Sequence, residues 1–417
     1  MANSNPGVLS LPQAPVSAPS SQRAWPSICV VGPGWRFTSG ISYYTCRLVK
    51  AAAQDHNVSV IQLRQLLPRF LYPGRRRVGQ PRARMAYPPD VPVYDGVNWW
   101  WGTSLLRALS FIRSNRPRVL VLQWWTATAL HTYLILGMMA RLLGARVVIE
   151  MHETQDPDEA RYPVIRHYCR WGLRLLLRLC HGCVVHSIAD FRSLETGYKT
   201  KRLRMTVARH GPYDQYDVAE ESSAEDGAAT AAVKAAPRPG VVNLLFFGLI
   251  RPYKGLEDLL AVFNDLSETE AAGLWLTIVG ETWGGYSAPK RLIEQSPHRS
   301  RITFVNEYVP DEVVGAAFSH ADVAVLPYHR SSGSGTLHVA MSWGLPVVVS
   351  NVGGLPEAAG DYGGAIFVPP RNREALRAGI KDAIKVAHQR FTDPRDWGEV
   401  IDALVYAADV APCGREL

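Results

Sequence analysis

Short apolar runs alternate along this chain with longer amphipathic stretches, and the scheme occurs twice. In the first half the runs are Ile28–Val31, Val58–Leu63, Val119–Trp125, Val147–Met151, Cys183–His186 and Met205–Ala208. In the second they are Val242–Phe247, Leu274–Val279, Ile302–Val305, Val323–Leu326, Val347–Ser350 and Ala365–Val368. Most are rich in Val, Ile and Leu at consecutive positions, the pattern of strands covered on both faces. Stretches between them, such as Gly255–Leu266 and Thr336–Trp343, have helical character. Strand–helix alternation predicts a parallel sheet with right-handed crossovers. The expected fold class is therefore α/β, with two Rossmann-like, doubly wound domains facing across a crevice. Ligands in such sheets bind outside the carboxyl ends of the strands, so the loops there should carry the chemistry.

Composition refines the domain plan. Residues 1–26 are rich in Pro, Ser and Ala, lack the basic start and apolar stretch of a signal peptide, and read as a disordered leader. An N-terminal domain is expected over 27–215 and a C-terminal one over 241–392, with 393–417 as a terminal helix. Between the two, 216–240 is an Ala/Glu/Ser/Pro-rich tract without periodicity, read as a linker or flexible insertion. Thr126–Leu143 is the most apolar long stretch, but it carries His131 and Arg141 and lies between two strand runs. It reads as a buried crossover helix rather than a membrane span, and the protein as cytoplasmic. The six cysteines are scattered, which suggests no disulfide framework. Cys180-His181-Gly182-Cys183 has no second ligand pair, so it reads as buried cysteines entering a strand, and no metal site is expected.

The formal net charge of +8 hides an asymmetry. Residues 1–210 hold 28 Lys/Arg against 10 Asp/Glu, and 211–417 hold 17 against 27. Two halves of opposite sign suit two domains with different partners. In the first half the charge clusters at Arg64–Arg84, including Arg75-Arg76-Arg77, and at Arg166, Arg170, Arg174 and Arg178. The latter four recur every fourth residue beside Trp171 and several leucines. A solvated face over an ordinary core is the plain reading of that helix; a peripheral contact with an anionic membrane is also compatible with it. No nucleic-acid-reading module accompanies the basic half.

Several strand ends carry residues suited to anions or sugars. Gly34 follows the first strand and Gly40 opens a helix, where bare backbone can approach a phosphate. A dinucleotide fingerprint would need glycine at Phe37 and an acid after the second strand, and both are missing, which excludes an NAD dehydrogenase. His152 ends the fourth run, where it can bond a sugar hydroxyl or relay a proton. Gly248 leads into Arg251 and Lys254, two cations beside a helix start that suit a pyrophosphate. Ser331-Ser332-Gly333-Ser334-Gly335-Thr336 precedes another helix and forms a second anion cradle. Trp124 and Trp125 end a strand where an acceptor ring could stack, with core packing as the alternative.

Taken in order, these segments resemble the retaining family-4 glycosyltransferases over roughly residues 27–400, most densely from Gly248 to Glu357. Gly248–Gly255 resembles the family's phosphate-gripping turn. Ala321–Pro327, Gly344–Val348 and Gly353-Gly354 resemble its donor-site signature. Val185–Ser187 and Arg209–Gly211 resemble segments that close its first domain, which places His210 near the donor. The stretch from Trp397 resembles the helix that crosses back to that domain. The resemblance implies a GT-B architecture and transfer of a sugar, with retention, from a nucleoside-diphosphate sugar to a hydroxyl acceptor. A UDP-sugar is favoured as donor, with a GDP-sugar the other candidate.

In that scheme Arg251, Lys254 and the amides of Gly335 and Thr336 stabilise the leaving diphosphate. Gly34, Gly40, Gly248, Ser331, Ser332, Gly333 and Ser334 border the donor, and Tyr308-Val309 lie near its base. His152 positions the sugar or acceptor. No metal or other cofactor is expected. The acceptor is unidentified: lipid-linked, a polysaccharide or a small metabolite. One departure stands out. The family's two glutamates, eight residues apart, fall here at Ser331 and Val339. A catalytically inactive sugar-nucleotide-binding protein is therefore one alternative, and a nucleotide-sugar epimerase, which can share the two-domain plan, is another.

Overall fold

The computed structural model describes residues 27–34, 40–66, 86–153, 163–214, 228–234, 240–282, 285–331 and 333–410, with backbone alone at 163–166. The leader and nearly all of the arginine cluster at 64–84 lie outside these residues. Contacts divide the chain into two units. The first runs to Arg209 and takes the chain back from Trp397; the second spans His210–Asp396.

The first unit holds a seven-stranded sheet: β1 (Ile28–Pro33), β2 (Val58–Gln65), β3 (Val93–Asn98), β4 (Val119–Trp124), β5 (Arg146–Met151), β6 (Gly182–Val185) and β7 (Arg204–Val207). All neighbours are parallel, in the order β3-β2-β1-β4-β5-β6-β7. On one face Cys29, Val31, Leu120, Leu122, Val147 and Ile149 join the core with helices Gly102–Asn115, Leu130–Leu142 and Pro163–Leu179. Side chains alternate between faces along a strand, so Glu150 looks the other way. There helix Gly40–Ala52 lies against helix Trp397–Ala408, and the latter packs on β5, β6 and β7. Gly182 permits that approach: a Cβ on it would sit 2.0 Å from the Ala407 carbonyl oxygen.

The second unit has a six-stranded parallel sheet of β8 (Val242–Phe247), β9 (Leu274–Val279), β10 (Ile302–Val305), β11 (Val323–Leu326), β12 (Val347–Ser350) and β13 (Ala365–Val368). Its order is β10-β9-β8-β11-β12-β13. In each sheet the winding reverses once, between β1 and β4 and between β8 and β11, and the strand ends beside that reversal are where such sheets bind ligands.

The expected strands are all present, and β3 is one the apolar pattern does not announce. A second correction falls in 216–240. Ala228–Lys234 is a helix there, with Thr230 and Val233 buried against helix Asp311–Ser319. The buried crossover at Thr126–Leu143 is a short 3-10 turn followed by helix Leu130–Leu142, and only the helix's inner face is covered. Among the described residues no helix is long and apolar enough to cross a membrane.

Candidate active site

In the second unit, the chain leaves β8 at Gly248 with φ +102°, a backbone conformation open to glycine. A Cβ at this position would lie 2.9 Å from Lys254 Nζ and 3.2 Å from Thr336 Oγ1. An ammonium, a hydroxyl and a bare backbone thus converge on one spot at the β8–β11 switch. Lys254 is delivered by the 3-10 turn Pro252–Lys254, which Arg251 begins and Gly255 ends at φ +68°. Any side chain on Gly255 would overlap the Pro327 carbonyl, its Cβ 1.9 Å from that oxygen. The turn is braced. The His329 amide donates to the Tyr253 carbonyl at 2.7 Å, and Asp258 accepts from His329 Nε2 at 2.7 Å and Arg373 Nε at 3.0 Å.

Thr336 sits in the first turn of helix Gly335–Ser342 and donates to the Phe247 carbonyl at 3.3 Å. The first amides of a helix have no intrahelical partner and lie at the positive end of its dipole. Gly335 is exposed, which leaves its amide approachable. Ser334 serves the helix: its hydroxyl accepts the Leu337 amide at 3.3 Å as N-cap. Ser331 bonds back to the Gly333 carbonyl at 2.6 Å. Ser332 lies outside the described residues. Val339, where the resemblance places a glutamate, is buried. Of the pair expected near the base, Tyr308 is exposed and Val309 is buried, so Val309 can offer only its backbone.

Beside Val339, His338 is held by the buried Arg395, which bonds the His338 ring and carbonyl and clasps Asp393 through two nitrogens. The rings of Tyr213 and His210 stack on it, with centroids 5.4 and 4.8 Å away. His210 thus belongs to an aromatic stack of the second unit.

The first unit carries a second constellation, at the ends of β4 and β5. Glu150 is fully buried, and its carboxyl accepts from Tyr44 Oη at 2.5 Å and Gln123 Nε2 at 2.5 Å. Burial pushes its pKa up to about 7 against the pull of those two donors. His186 Nδ1 lies 2.9 Å from the Ala208 carbonyl, which can only accept, so that nitrogen carries the proton. Its Nε2, 3.5 Å from Glu150 Oε1, is then an acceptor. Burial lowers the His186 pKa to about 4, and both shifts favour a neutral pair with the proton on the carboxyl.

Because the Gln123 amide nitrogen is committed to Glu150, its oxygen faces His152 Nε2 and accepts from it. His152 therefore carries its proton on Nε2, and burial together with the nearby His186 ring keeps it well below the usual imidazole range. A neutral imidazole at a strand end is suited to receive a hydroxyl proton or orient the hydroxyl itself. Tyr44, Gln123, Glu150 and His186 are absent from the sequence-derived set, although Gln123 and Glu150 are polar residues within otherwise apolar strands.

Gly34 is buried at the end of β1, and a Cβ there would meet Gln62 Oε1 at 2.3 Å. Gly40 starts its helix, and the intervening 35–39 lie outside the described residues. Trp124 is a correction: the residue is 5% exposed and belongs to the apolar core, so it offers no stacking face. Trp125 is half-buried against that core.

Residues 234–399 match the family model of glycosyl transferases group 1. Among curated proteins, the glycogen synthase of Mycobacterium tuberculosis is 33% identical over 180 residues, 40% of this chain and 42% of that protein. A GDP-mannose:glycolipid 4-beta-D-mannosyltransferase of Xanthomonas campestris pv. campestris is 34% identical over 165 residues, 38% and 46% of the two chains. The chain thus spans less than half the length of these two relatives. Solved structures extend the likeness to nearly the whole chain. The catalytic domain of Arabidopsis thaliana Starch Synthase IV, bound to ADP and acarbose, superposes with a TM-score of 0.61 at 11% identity, covering 93% of this chain and 96% of that one. Anabaena HepE in complex with UDP gives 0.58 at 14%, covering 92% and 94%. At such identities the structural likeness speaks for the fold alone: the chain has the GT-B fold, and within it residues 234–399 match the group 1 glycosyltransferase model.

Proposed function

We propose that the protein is a retaining glycosyltransferase that moves a sugar from a nucleoside-diphosphate sugar, by preference a UDP-sugar, to a hydroxyl acceptor. The observation that carries this reading is the convergence of Lys254 Nζ, Thr336 Oγ1 and a helix start on the bare backbone of Gly248. In glycosyl transfer the barrier lies in breaking the bond to the diphosphate, so charge developing on that leaving group is what a catalyst must stabilise. Lys254 supplies a point charge, Arg251 a second cation, and the Gly335 and Thr336 amides supply oriented dipoles. Lys254 and Thr336 already lie together at Gly248, so little reorganisation is needed of them at the moment of reaction.

With retention, the departing phosphate oxygen can take the acceptor's proton on the same face of the sugar. No carboxylate base is then required, which accommodates Ser331 and Val339. His152 orients the sugar or acceptor hydroxyl, with Glu150 and Gln123 fixing its tautomer. UDP bound by Anabaena HepE supports a uridine donor, and the GDP-mannose enzyme of Xanthomonas keeps guanosine as the competing base.

A second reading rests on one specific observation: the two positions that resemble the family's glutamates offer a buried Val339 and a Ser331 bonded to its own loop. That reading is a sugar-nucleotide-binding protein without turnover. Incubation with UDP-glucose, UDP-N-acetylglucosamine and GDP-mannose, with and without simple glycoside acceptors, separates the two. Nucleotide release accompanied by a product of unchanged anomeric configuration supports transfer. Tight nucleotide binding with no release above background, on any donor, favours the second reading.

A further inference from the structure

Three helices cover one face of the first unit's sheet: Gly102–Asn115, Leu130–Leu142 and Pro163–Leu179. Every charged residue on them is an arginine. The sequence of Leu130–Leu142, LHTYLILGMMARL, is apolar nearly all the way round, and helices of that kind are ordinarily buried on all sides. Tyr133, Leu136 and Ala140 meet that expectation on the inner face. On the outer one Met138 is 52% and Leu142 77% exposed. With Leu109, Leu134, Ile135 and Leu175 these side chains line an apolar cleft of about 750 Å³. Leu106 and Trp171, on the flanking helices, are exposed as well.

The apolar cleft ends at Arg141 and Arg178. Both also line a second cleft of about 590 Å³, walled further by Arg146, His181, Arg202 and Arg204. Its one carboxylate, Asp409, bonds Arg146 at 3.2 Å and also Arg204, which leaves a large positive excess. The cationic groups are held in place. Arg141 donates to the Leu179 carbonyl at 2.7 Å, and Arg204 lies 4.2 Å over the Tyr406 ring; His181, whose Nδ1 accepts the Val147 amide at 2.9 Å, is a neutral part of the wall. The cleft lies at the starts of β5, β6 and β7, at the end of the sheet away from His152.

The geometry points to a peripheral docking surface for an anionic phospholipid bilayer, with headgroup phosphates against the arginine cleft and acyl chains against the apolar one. Adjacent cationic and apolar surfaces match the order of head and tail in a lipid leaflet. A soluble anion would leave the apolar face unexplained. A second copy of the chain would bring two arginine clusters together without compensating acids.

Flotation with phosphatidylcholine vesicles and with vesicles containing phosphatidylglycerol tests this without reference to turnover. The wild type is expected to float with the anionic vesicles only, and less so as salt is raised. Leu142→Glu and the pair Arg178→Glu/Arg202→Glu, all on exposed positions, should each lower the partition coefficient about tenfold or more, with Tm and nucleotide binding unchanged. The proposal is overturned if the wild type stays off anionic vesicles, binds both vesicle types equally, or is matched by the variants. Pyrophosphate binding abolished by Arg178→Glu/Arg202→Glu, without vesicle binding, would overturn it in favour of a soluble-anion site. Self-association abolished by Leu142→Glu, again without vesicle binding, would do so in favour of an interface between copies.

Discussion

Replacing Glu150 by Gln tests the buried network of the first unit. The carboxyl is raised from 4.5 to about 7 by burial, so the folded chain keeps its proton where the unfolded chain has released it. The stability tied to that proton is present in full below pH 4.5 and is lost as pH rises through 7. At about 1.4 kcal/mol per unit, the loss between pH 5 and pH 8 is about 2–3 kcal/mol. Glutamine cannot ionise, so Glu150→Gln escapes this loss. His186 shifts the opposite way, losing stability as pH falls below its ordinary range towards about 4, so its contribution has the opposite pH dependence and lies mostly below the pH 5–8 window. Urea unfolding at pH 5 and pH 8, followed by tryptophan fluorescence, should therefore show the variant gaining on the wild type by that amount at the higher pH. Parallel stability at both pH values would refute the neutral carboxyl, and with it the proton arrangement assigned to Gln123 and His152.

Two glycine substitutions probe close approaches. Gly248→Ala places a methyl 2.9 Å from Lys254 Nζ at φ +102°; calorimetry should show nucleotide affinity falling about tenfold or more, with about 1–2 kcal/mol of backbone strain added. Gly182→Ala drives its Cβ into the Ala407 carbonyl and should destabilise the first unit by about 2–3 kcal/mol in thermal unfolding. Gly197→Ala, which meets nothing within 4 Å, should leave Tm essentially in place.

Both sheets were legible because buried parallel strands leave unbroken apolar runs such as Val347–Ser350. β3 is not, since VYDGVN places Asp95 and Gly96 in a half-exposed edge strand. The helix Ala228–Lys234 lay hidden in a tract whose composition suggests a linker, although its alanines favour helix. The turn that brings Lys254 and Thr336 to the backbone of Gly248 was legible in outline, because glycine at a strand end followed by a helix start marks such a turn. The Tyr44–Glu150–Gln123–His152 network was harder. Its members lie far apart in sequence and meet only through the pairing of β4 with β5 and the packing of helix Gly40–Ala52. Gln123 and Glu150, as polar residues in apolar strands, were the available clue. Trp124 shows the converse error: its place at a strand end suggested a binding face, and its burial assigns it to the core.

The turn around Gly248 is proposed to grip a diphosphate. Calorimetric titration of the wild type and of Lys254→Ala with UDP and with GDP tests it most directly. The wild type is expected to bind one of the two nucleotides, and Lys254→Ala to lose that binding while keeping its Tm. Binding of neither nucleotide by the wild type, or equal binding by both proteins, would contradict it.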